Sequence, residues 1–440
     1  MRRSYAIIAG LLATAPAVHA EQSALTLKQA LDTARRRAPD LAIAAQSEVG
    51  AVRRRTAAKR TRLPSLSVQS AVNVWTEELA FDLGVDPMTG MASSVVVREQ
   101  ITSQSNVSIS LPLSGQLVLS HYIDAAEANS AAIKADSKTT ALDVQQRTAE
   151  TYLALLAAQG EREIADAVVR QREAQLARAK VLQGGGVLQR VDVMRLEAAV
   201  AEAKRAEIAA RTRAASVADA LAVTIGAPGR TLSAIDDFPK QPQAPAAQLG
   251  GLPEKALANR PELVALRARV RAARSSAKVE RAPLYPTINA VGTFQYNTGQ
   301  GPFLPKSAFF AGLTLEWNLW DWGQTWNKVK AAEADATRAQ LQGKQVADNI
   351  SLDTRTRLRE ANASYESLRV AEVGSKAAEE AFRIQSVRFQ EGATTTTELL
   401  EAETEVTRAR LGLNQARYTY YIALTRLARA AGLTPSELLP

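Results

Sequence analysis

Four segments of the chain alternate apolar and polar side chains with a period of two residues, the pattern of a β-strand whose two faces differ. Their approximate spans are residues 64–74, 101–113, 286–297 and 309–319. Each is about ten residues or longer, the length that a tilted strand needs to cross a membrane. Their polar faces carry hydroxyl and amide groups, as expected beside a wet lumen. The pattern therefore predicts two membrane-spanning strand pairs, at about 64–113 and about 286–319.

Each strand pair is followed by a long helical pattern. Residues 116–183 and 324–390 contain no proline and almost no glycine, and the return helices are expected at about 191–225 and 397–431. At 1.5 Å per residue, the longer helices would reach ~100 Å. Helices of that length need neighbours to pack against, as in a coiled coil. We therefore expect two long helical hairpins, with tips near 183–191 and 390–397.

Both expected tips combine a glycine with an acidic residue six positions later. The pairs are Gly186 with Asp192 and Gly392 with Glu398. Glycine gives the backbone freedom of a tight turn, and Thr395 with Glu398 has the spacing of a capping box, which satisfies free amides at a helix start. The two tips therefore look like copies of one turn.

Fixed spacings indicate two internal repeats. Gly186 and Gly392 are 206 positions apart, whereas Pro64 and Pro286 are 222 apart, because the first strand pair has a connection that is 16 residues longer, around 77–100. We expect repeat 1 at 21–226 and repeat 2 at 251–440, each with a helix, a strand pair and a long hairpin. The segment 227–250, which contains four prolines, is the expected linker.

The N-terminus indicates export. Residues 1–20 have two arginines, an apolar run and a small residue at the end, as in a secretory signal peptide. Beyond them no run of about 18 apolar residues predicts a membrane-spanning helix. The mature chain is therefore either soluble outside the cytoplasm or inserted as a β-barrel.

Composition excludes several kinds of site. The chain has 440 residues, no cysteine and two histidines, of which only His121 follows the signal segment. Disulfides, thiolate metal sites and a cysteine lipid anchor are therefore excluded, and no metal or other cofactor is expected. The net charge of +9 is dispersed, which argues against nucleic-acid binding. No nucleophile with a base is evident, so we do not expect an enzyme.

Tryptophans concentrate at the ends of the expected strands. Trp317, Trp320 and Trp322 lie at the end of the fourth strand, and Trp75 lies at the far end of the first. Indole rings favour membrane–water interfaces, so the group predicts two aromatic girdles. The alternative is that these rings are buried in a core or at a helix junction.

Four strands require partners. A membrane β-barrel needs at least ~8 strands, and open sheet edges facing lipid would leave costly unmet backbone groups. Strands must then be shared among subunits in a closed ring. We therefore expect two to four copies around a tube that the helices continue, as a channel.

Four motifs in this order, together with the duplication, carry a resemblance over the whole mature chain. They are Arg260-Pro261-Glu262-Leu263, the strand entry Pro283-Leu284-Tyr285-Pro286, Asn318-Leu319-Trp320-Asp321-Trp322-Gly323, and RFQEGATTTTELLEAE at the second tip. The chain resembles the TolC family of bacterial outer-membrane efflux proteins. The resemblance implies an α+β membrane protein: a homotrimer with a twelve-stranded outer-membrane barrel, four strands per chain, continued by a helical barrel in the periplasm.

The resemblance also implies the function of an outer-membrane exit duct in a tripartite efflux pump, with a periplasmic adaptor and an inner-membrane transporter as partners. Type I protein secretion is the alternative within the channel class. From another class, a periplasmic coiled-coil adaptor or structural protein without a pore would have similar helices. The alternating strands and the tryptophans argue against that reading.

Site residues follow from the same resemblance. Acidic residues past the tips narrow the tunnel entrance in this family, and the matching positions are Asp192, Glu398 and Glu401. Thr394 stands where some members have a basic latch. Gly186, Val187, Gly392 and Ala393 fall at the tips that meet the adaptor. Helix capping is the alternative role for Glu398, whereas Glu401 lies beyond the reach of a cap.

Overall fold

A computed structural model describes residues 23–85, 88, 92–244 and 251–439. The predicted signal peptide, residues 1–20, lies outside this part of the chain. Contacts divide the chain into two compact units. The sheet unit consists of Ile43–Thr139 and Leu257–Ser351, and the helical unit consists of the segment ending at Ala42, Thr140–Ala256 and the segment from Leu352 onward.

Eight helices and eight strands are defined among the described residues. The helices are α1 (Leu27–Arg37), α2 (Pro39–Arg60), α3 (Gln116–Gly184), α4 (Arg190–Thr224), α5 (Leu252–Asn259), α6 (Pro261–Val279), α7 (Gln324–Gln390) and α8 (Thr396–Ala430). The strands are β1 (Ser23–Leu25), β2 (Ser65–Val74), β3 (Leu79–Val85), β4 (Ala92–Arg98), β5 (Ile101–Pro112), β6 (Leu232–Ala234), β7 (Thr287–Thr298) and β8 (Ser307–Glu316).

The four predicted strands form one antiparallel sheet in the order β2-β5-β7-β8. Its register aligns apolar residues across the strands. Val68 pairs with Val107, Val107 with Phe294, and Phe294 with Phe309. Because side chains alternate between faces along a strand, this register collects the apolar side chains of all four strands on one face.

The apolar face of this sheet is the exposed one. Leu66, Val68 and Leu313 are exposed on it, whereas on the opposite face Thr102 is 1% exposed and Thr293 is 7% exposed. On that polar face the hydroxyls of Ser108 and Thr293 lie 2.9 Å apart and form a hydrogen bond. A sheet of a water-soluble protein has the reverse arrangement, with the apolar face covered.

A second sheet, of two strands, lies within the region 77–100, where the sequence predicts a connecting loop. Here β3 and β4 pair in antiparallel fashion, with Phe81 opposite Val95 and Ala80 opposite Val96. The valine run at 95–97 favours a strand, and the partner segment alternates Leu79, Phe81 and Leu83 with smaller or polar residues. The predicted connecting loop therefore contains two strands that the sequence did not predict, at residues 79–85 and 92–98.

The long helices are present as expected. Helices α3 and α7 have 69 and 67 residues, and α4 and α8 have 35 residues each. None of the helices in the described ranges is both long and apolar enough to cross a membrane.

In the core of the helical unit, tyrosines contact the N-terminal strand β1 and the expected linker. Tyr152 is fully buried, and its hydroxyl donates to the carbonyls of Leu25 at 2.9 Å and Ile235 at 2.7 Å. These acceptors end or follow the parallel pair β1 and β6. Phe238 packs on Tyr421, with ring centroids 4.6 Å apart. The first part of segment 227–250 is thus a packed layer, and its residues 245–250 lie outside the description.

Candidate functional site

The two hairpin tips share one backbone geometry. At the first, the amide of Val187 donates to the carbonyl of Leu182 at 2.9 Å, and at the second the amide of Ala393 donates to the carbonyl of Arg388 at 2.8 Å. In both, the glycine before this amide has positive φ, 77° at Gly186 and 71° at Gly392. This is the Schellman ending of a helix, in which a left-handed residue lets the last carbonyls find donors.

Backbone conformation, and not lack of space, calls for glycine at the tips. A side chain built on Gly186 or Gly392 meets nothing within 4 Å. The left-handed conformation itself is unfavourable for other residues. Both tips, including Val187 and Ala393, are exposed in the described chain.

A network of threonines holds the carboxylate of Glu398 at the start of α8. The Thr395 hydroxyl accepts from the Glu398 amide at 3.2 Å, and the Thr395 amide donates to Glu398 Oε2 at 2.9 Å. The Thr394 hydroxyl donates to the same oxygen. These bonds, first that of Thr394 and then those of Thr395, lower the pKa of Glu398. The predicted capping box is therefore confirmed, and Thr394 is a partner of Glu398.

The first tip lacks such a cap. Gln189 precedes α4 and makes no side-chain capping bond. Asp192 lies in the first turn of α4, and its Oδ1 is 3.8 Å from Arg195 Nη1. The two tips therefore share a backbone conformation, but only the second has a side-chain cap at the start of its return helix.

Arg195 joins the first tip to the second. Its Nη1 donates to the hydroxyl of Thr397 at 3.3 Å. It also lines an open groove of about 430 Å³ with residues of α8, namely Thr397, Leu400, Glu401, Thr404 and Glu405. Glu401 is exposed in this groove, and Glu405 pairs with Arg408. The structure thus places an arginine in the same groove as the predicted entrance glutamate.

Sequence reasoning missed Arg195, although one signal was available. Arg195 and Glu401 are 206 positions apart, the same separation as Gly186 and Gly392. The corresponding positions after the two tips therefore carry opposite charges. That contrast is readable from the sequence, but their approach to one groove is a tertiary contact.

The predicted interface tryptophans fall into two environments. Trp75 donates its Nε1 hydrogen to the Thr102 hydroxyl at 3.1 Å, and the guanidinium of Arg98 lies 3.9 Å from its ring centroid. Trp75 therefore contacts the polar face of the sheet at the end of β2.

The other tryptophans lie in the turn between β8 and α7. Trp317, Trp320 and Trp322 are all exposed, the last at 88%. Trp320 and Trp322 meet edge to face with centroids 5.9 Å apart. Trp322 has φ 55°, rare for a bulky residue. Asp321 stabilises this turn, because its Oδ2 accepts from the Thr325 amide at 2.8 Å. The indoles are therefore displayed on the surface and are not part of a core.

In the described ranges, no cluster of three or more histidine, cysteine or carboxylate side chains is arranged to hold a metal ion.

Comparison with known proteins finds a family similarity in the second half of the chain. Residues 252–433 match the family model of the outer membrane efflux protein. The match includes β7, β8, α7, the second tip and α8. A search among curated proteins gave no significant match.

Solved structures match almost the whole chain. The outer membrane protein VceC of Vibrio cholerae is 18% identical, with 92% of this chain and 96% of that one covered and a TM-score of 0.74. The outer membrane channel CmeC of Campylobacter jejuni is 14% identical over 98% and 94%, with a TM-score of 0.74. The open state of the MtrE outer membrane channel of Neisseria gonorrhoeae is 18% identical over 93% and 89%, with a TM-score of 0.73. At these identities, the likeness establishes the fold.

Proposed function

Because its residues 252–433 belong to the outer membrane efflux protein family, we propose that this protein is the outer-membrane channel of a tripartite efflux pump. The observation that carries the proposal is the sheet with its apolar face exposed and its polar face partly buried. Such a sheet suits a lipid exterior and a wet interior. A water-soluble coiled-coil adaptor would not need a sheet with an exposed apolar face.

The barrel is formed by three copies of the chain. In the described chain β2 and β8 are the edges of the four-stranded sheet, and unpaired edges are unfavourable within a bilayer. Three copies pairing β2 of one subunit with β8 of the next give a closed barrel of twelve strands. The exposed indoles after β8 lie at the membrane–water interface of this barrel.

The helical hairpins extend into the periplasm, and the tips form the docking edge for a periplasmic adaptor. Exposure of Gly186, Val187, Gly392 and Ala393 supports this assignment. The adaptor joins the channel to an inner-membrane transporter. Repeats at 21–226 and 251–440, after a signal peptide at 1–20, account for two tips of the same geometry in each chain.

Asp192, Glu398 and Glu401 form the acidic periplasmic entrance. The positions of Asp192 and Glu398 in the first turns after the tips, and the exposure of Glu401 in the groove, support this role. Threefold symmetry would bring nine carboxylates to one mouth. Glu398 also caps its helix, so one residue serves both purposes.

The proposal is tested by isolation and conductance. Outer and inner membranes are separated, and the purified protein is placed in planar bilayers. We expect recovery in the outer membrane, a trimer that dissociates on gels only after heating, and stepwise ion conductance. Recovery in the soluble periplasm, or a monomer without conductance, would overturn the proposal.

A further inference from the structure

A carboxylate occupies the apolar stripe of α8 just beyond the second tip. Thr396, Leu399, Glu403 and Val406 are buried and are spaced three, four and three residues apart. This is the spacing of core positions in a coiled coil. Glu403 is 0% exposed, whereas ionisable residues are almost never fully buried unless paired.

Glu403 is paired with α3. The amide nitrogen of Gln171 donates to Glu403 Oε1 at 3.0 Å, and Arg172 Nε lies 3.5 Å from the same oxygen. Arg172 Nη1 also donates to the carbonyl of Ala199 on α4 at 2.9 Å. One arginine of α3 thus contacts both return helices.

Stability does not explain this pair. The Arg172 side chain is only 12% exposed, and Glu403 Oε2 makes no hydrogen bond within the described chain. Burial raises the pKa of Glu403 although Arg172 acts in the opposite direction. Replacing a buried ion pair with apolar residues is often neutral or stabilising. Such pairs do, however, specify one register among competing packings.

The corresponding position in the first half behaves differently. Glu197 precedes Glu403 by 206 residues and pairs with Lys180 at 2.9 Å. Both of these side chains are about half exposed, at 50% and 54%. Ordinary surface pairs of this kind add little. The buried glutamate of α8 therefore has no buried counterpart at the corresponding position of α4.

We propose that Glu403 and Arg172 are a positioning pair that sets the rotation of α8 against α3 and α4 at the entrance. Side chains are about 100° apart around a helix, so Glu401 lies about 200° from Glu403. Holding Glu403 inside therefore holds Glu401 outside, where it lines the groove. The inference rests on the proposed function only in that Glu401 needs a pore to act on.

The first test is a double-mutant cycle with apparent unfolding temperature as the readout. Glu403→Leu and Arg172→Leu each leave one charge buried without its partner, and we expect each to lower the temperature by about 5 °C. The double variant should return to within about 1 °C of the wild type or exceed it. Glu197→Leu with Lys180→Leu is the matched control, and it should change nothing.

The second test separates positioning from stability. The chain has no cysteine, so a spin label on Thr404→Cys, an exposed groove position, reports on α8 alone. We expect one mobility component in the Thr404→Cys background and two when both leucines are present. In bilayers, the double-leucine variant should show several conductance levels and at least threefold weaker block by divalent cations. If Glu403→Leu fails to fold, Glu403→Gln takes its place in the cycle.

These readouts distinguish the two hypotheses. A stable double-leucine variant with one label component and wild-type block would overturn the positioning role, as would additive single effects in the cycle. A wild-type protein that forms no pore would overturn the proposed function instead. The cycle and the label would still decide whether Glu403 and Arg172 set the rotation of α8.

Discussion

At the residue scale, the backbone conformation at position 392 explains why the residue is a glycine. Its φ of 71° is the left-handed conformation, and nothing approaches within 4 Å of where a side chain would begin. Gly374 also has open space but lies inside α7. The two glycines therefore separate the effect of conformation from that of space.

We predict opposite effects of one substitution at these glycines. Gly392→Ala should destabilise the hairpin by about 1–2 kcal/mol, the cost of a left-handed conformation for alanine. Gly374→Ala should stabilise it by up to about 1 kcal/mol, because alanine favours helix. Thermal unfolding of the purified protein measures both. Equal shifts in the two variants would contradict the assignment.

Glu398 makes the start of α8 at the second tip dependent on pH. The threonine hydrogen bonds lower the pKa of Glu398 below the value in an unfolded chain. A lowered pKa means that the ionised form stabilises the helix start. This stabilisation is complete above the unfolded value of about 4.3 and is lost as pH falls through the folded pKa.

We therefore predict that amide exchange at the start of α8 rises on acidification below about pH 4, after correction for the intrinsic rate. Thr395→Ala should raise exchange there about fivefold at neutral pH, since a lost cap costs about 1 kcal/mol. Gln189→Ala, at the uncapped first tip, is the control. Protection that does not depend on pH in the wild type would show that the cap contributes nothing.

At the element scale, periodicity predicted what depends on local sequence. The four strands and the two long hairpins follow from periods of two and of about 3.6 residues, and the structure confirms them within about three residues. The pair of Glu405 with Arg408, three residues apart on one face of α8, is a contact of the same local kind. Contacts between neighbours along one element are therefore readable from sequence.

Beyond the strand pairs and the helical hairpins, contacts between elements were not predicted. Strands β3 and β4 were missed because turn-forming residues lie between them and dominate the local sequence pattern. Glu403 belongs to a stripe whose other members are apolar or small, and its burial depends on Gln171 and Arg172, more than 200 residues earlier. Residues so far apart along the chain show no periodic pattern in a single sequence that would predict such a contact. The buried Glu403 is also where the candidate site departs from a plain helical hairpin.

At the scale of the whole molecule, the proposed entrance would depend on the balance of charge between Glu401 and Arg195. The two line one groove and carry opposite charges. In a trimer the groove would occur three times around one mouth, so each substitution would change the local charge by three. Divalent cations would respond more strongly than monovalent ions, because their interaction with each carboxylate is doubled.

We predict that Glu401→Ala weakens block of the single-channel current by divalent cations added on the periplasmic side, by about tenfold at 0.1 M salt. Arg195→Ala should strengthen the block, because it removes a cation that lines the same groove as this carboxylate. Both effects should fade near 1 M salt, where the screening length falls from about 10 Å to about 3 Å. Changes of the same sign in the two variants, or changes that persist at high salt, would mean that an altered packing of the tips, and not the charge of the groove, controls the block.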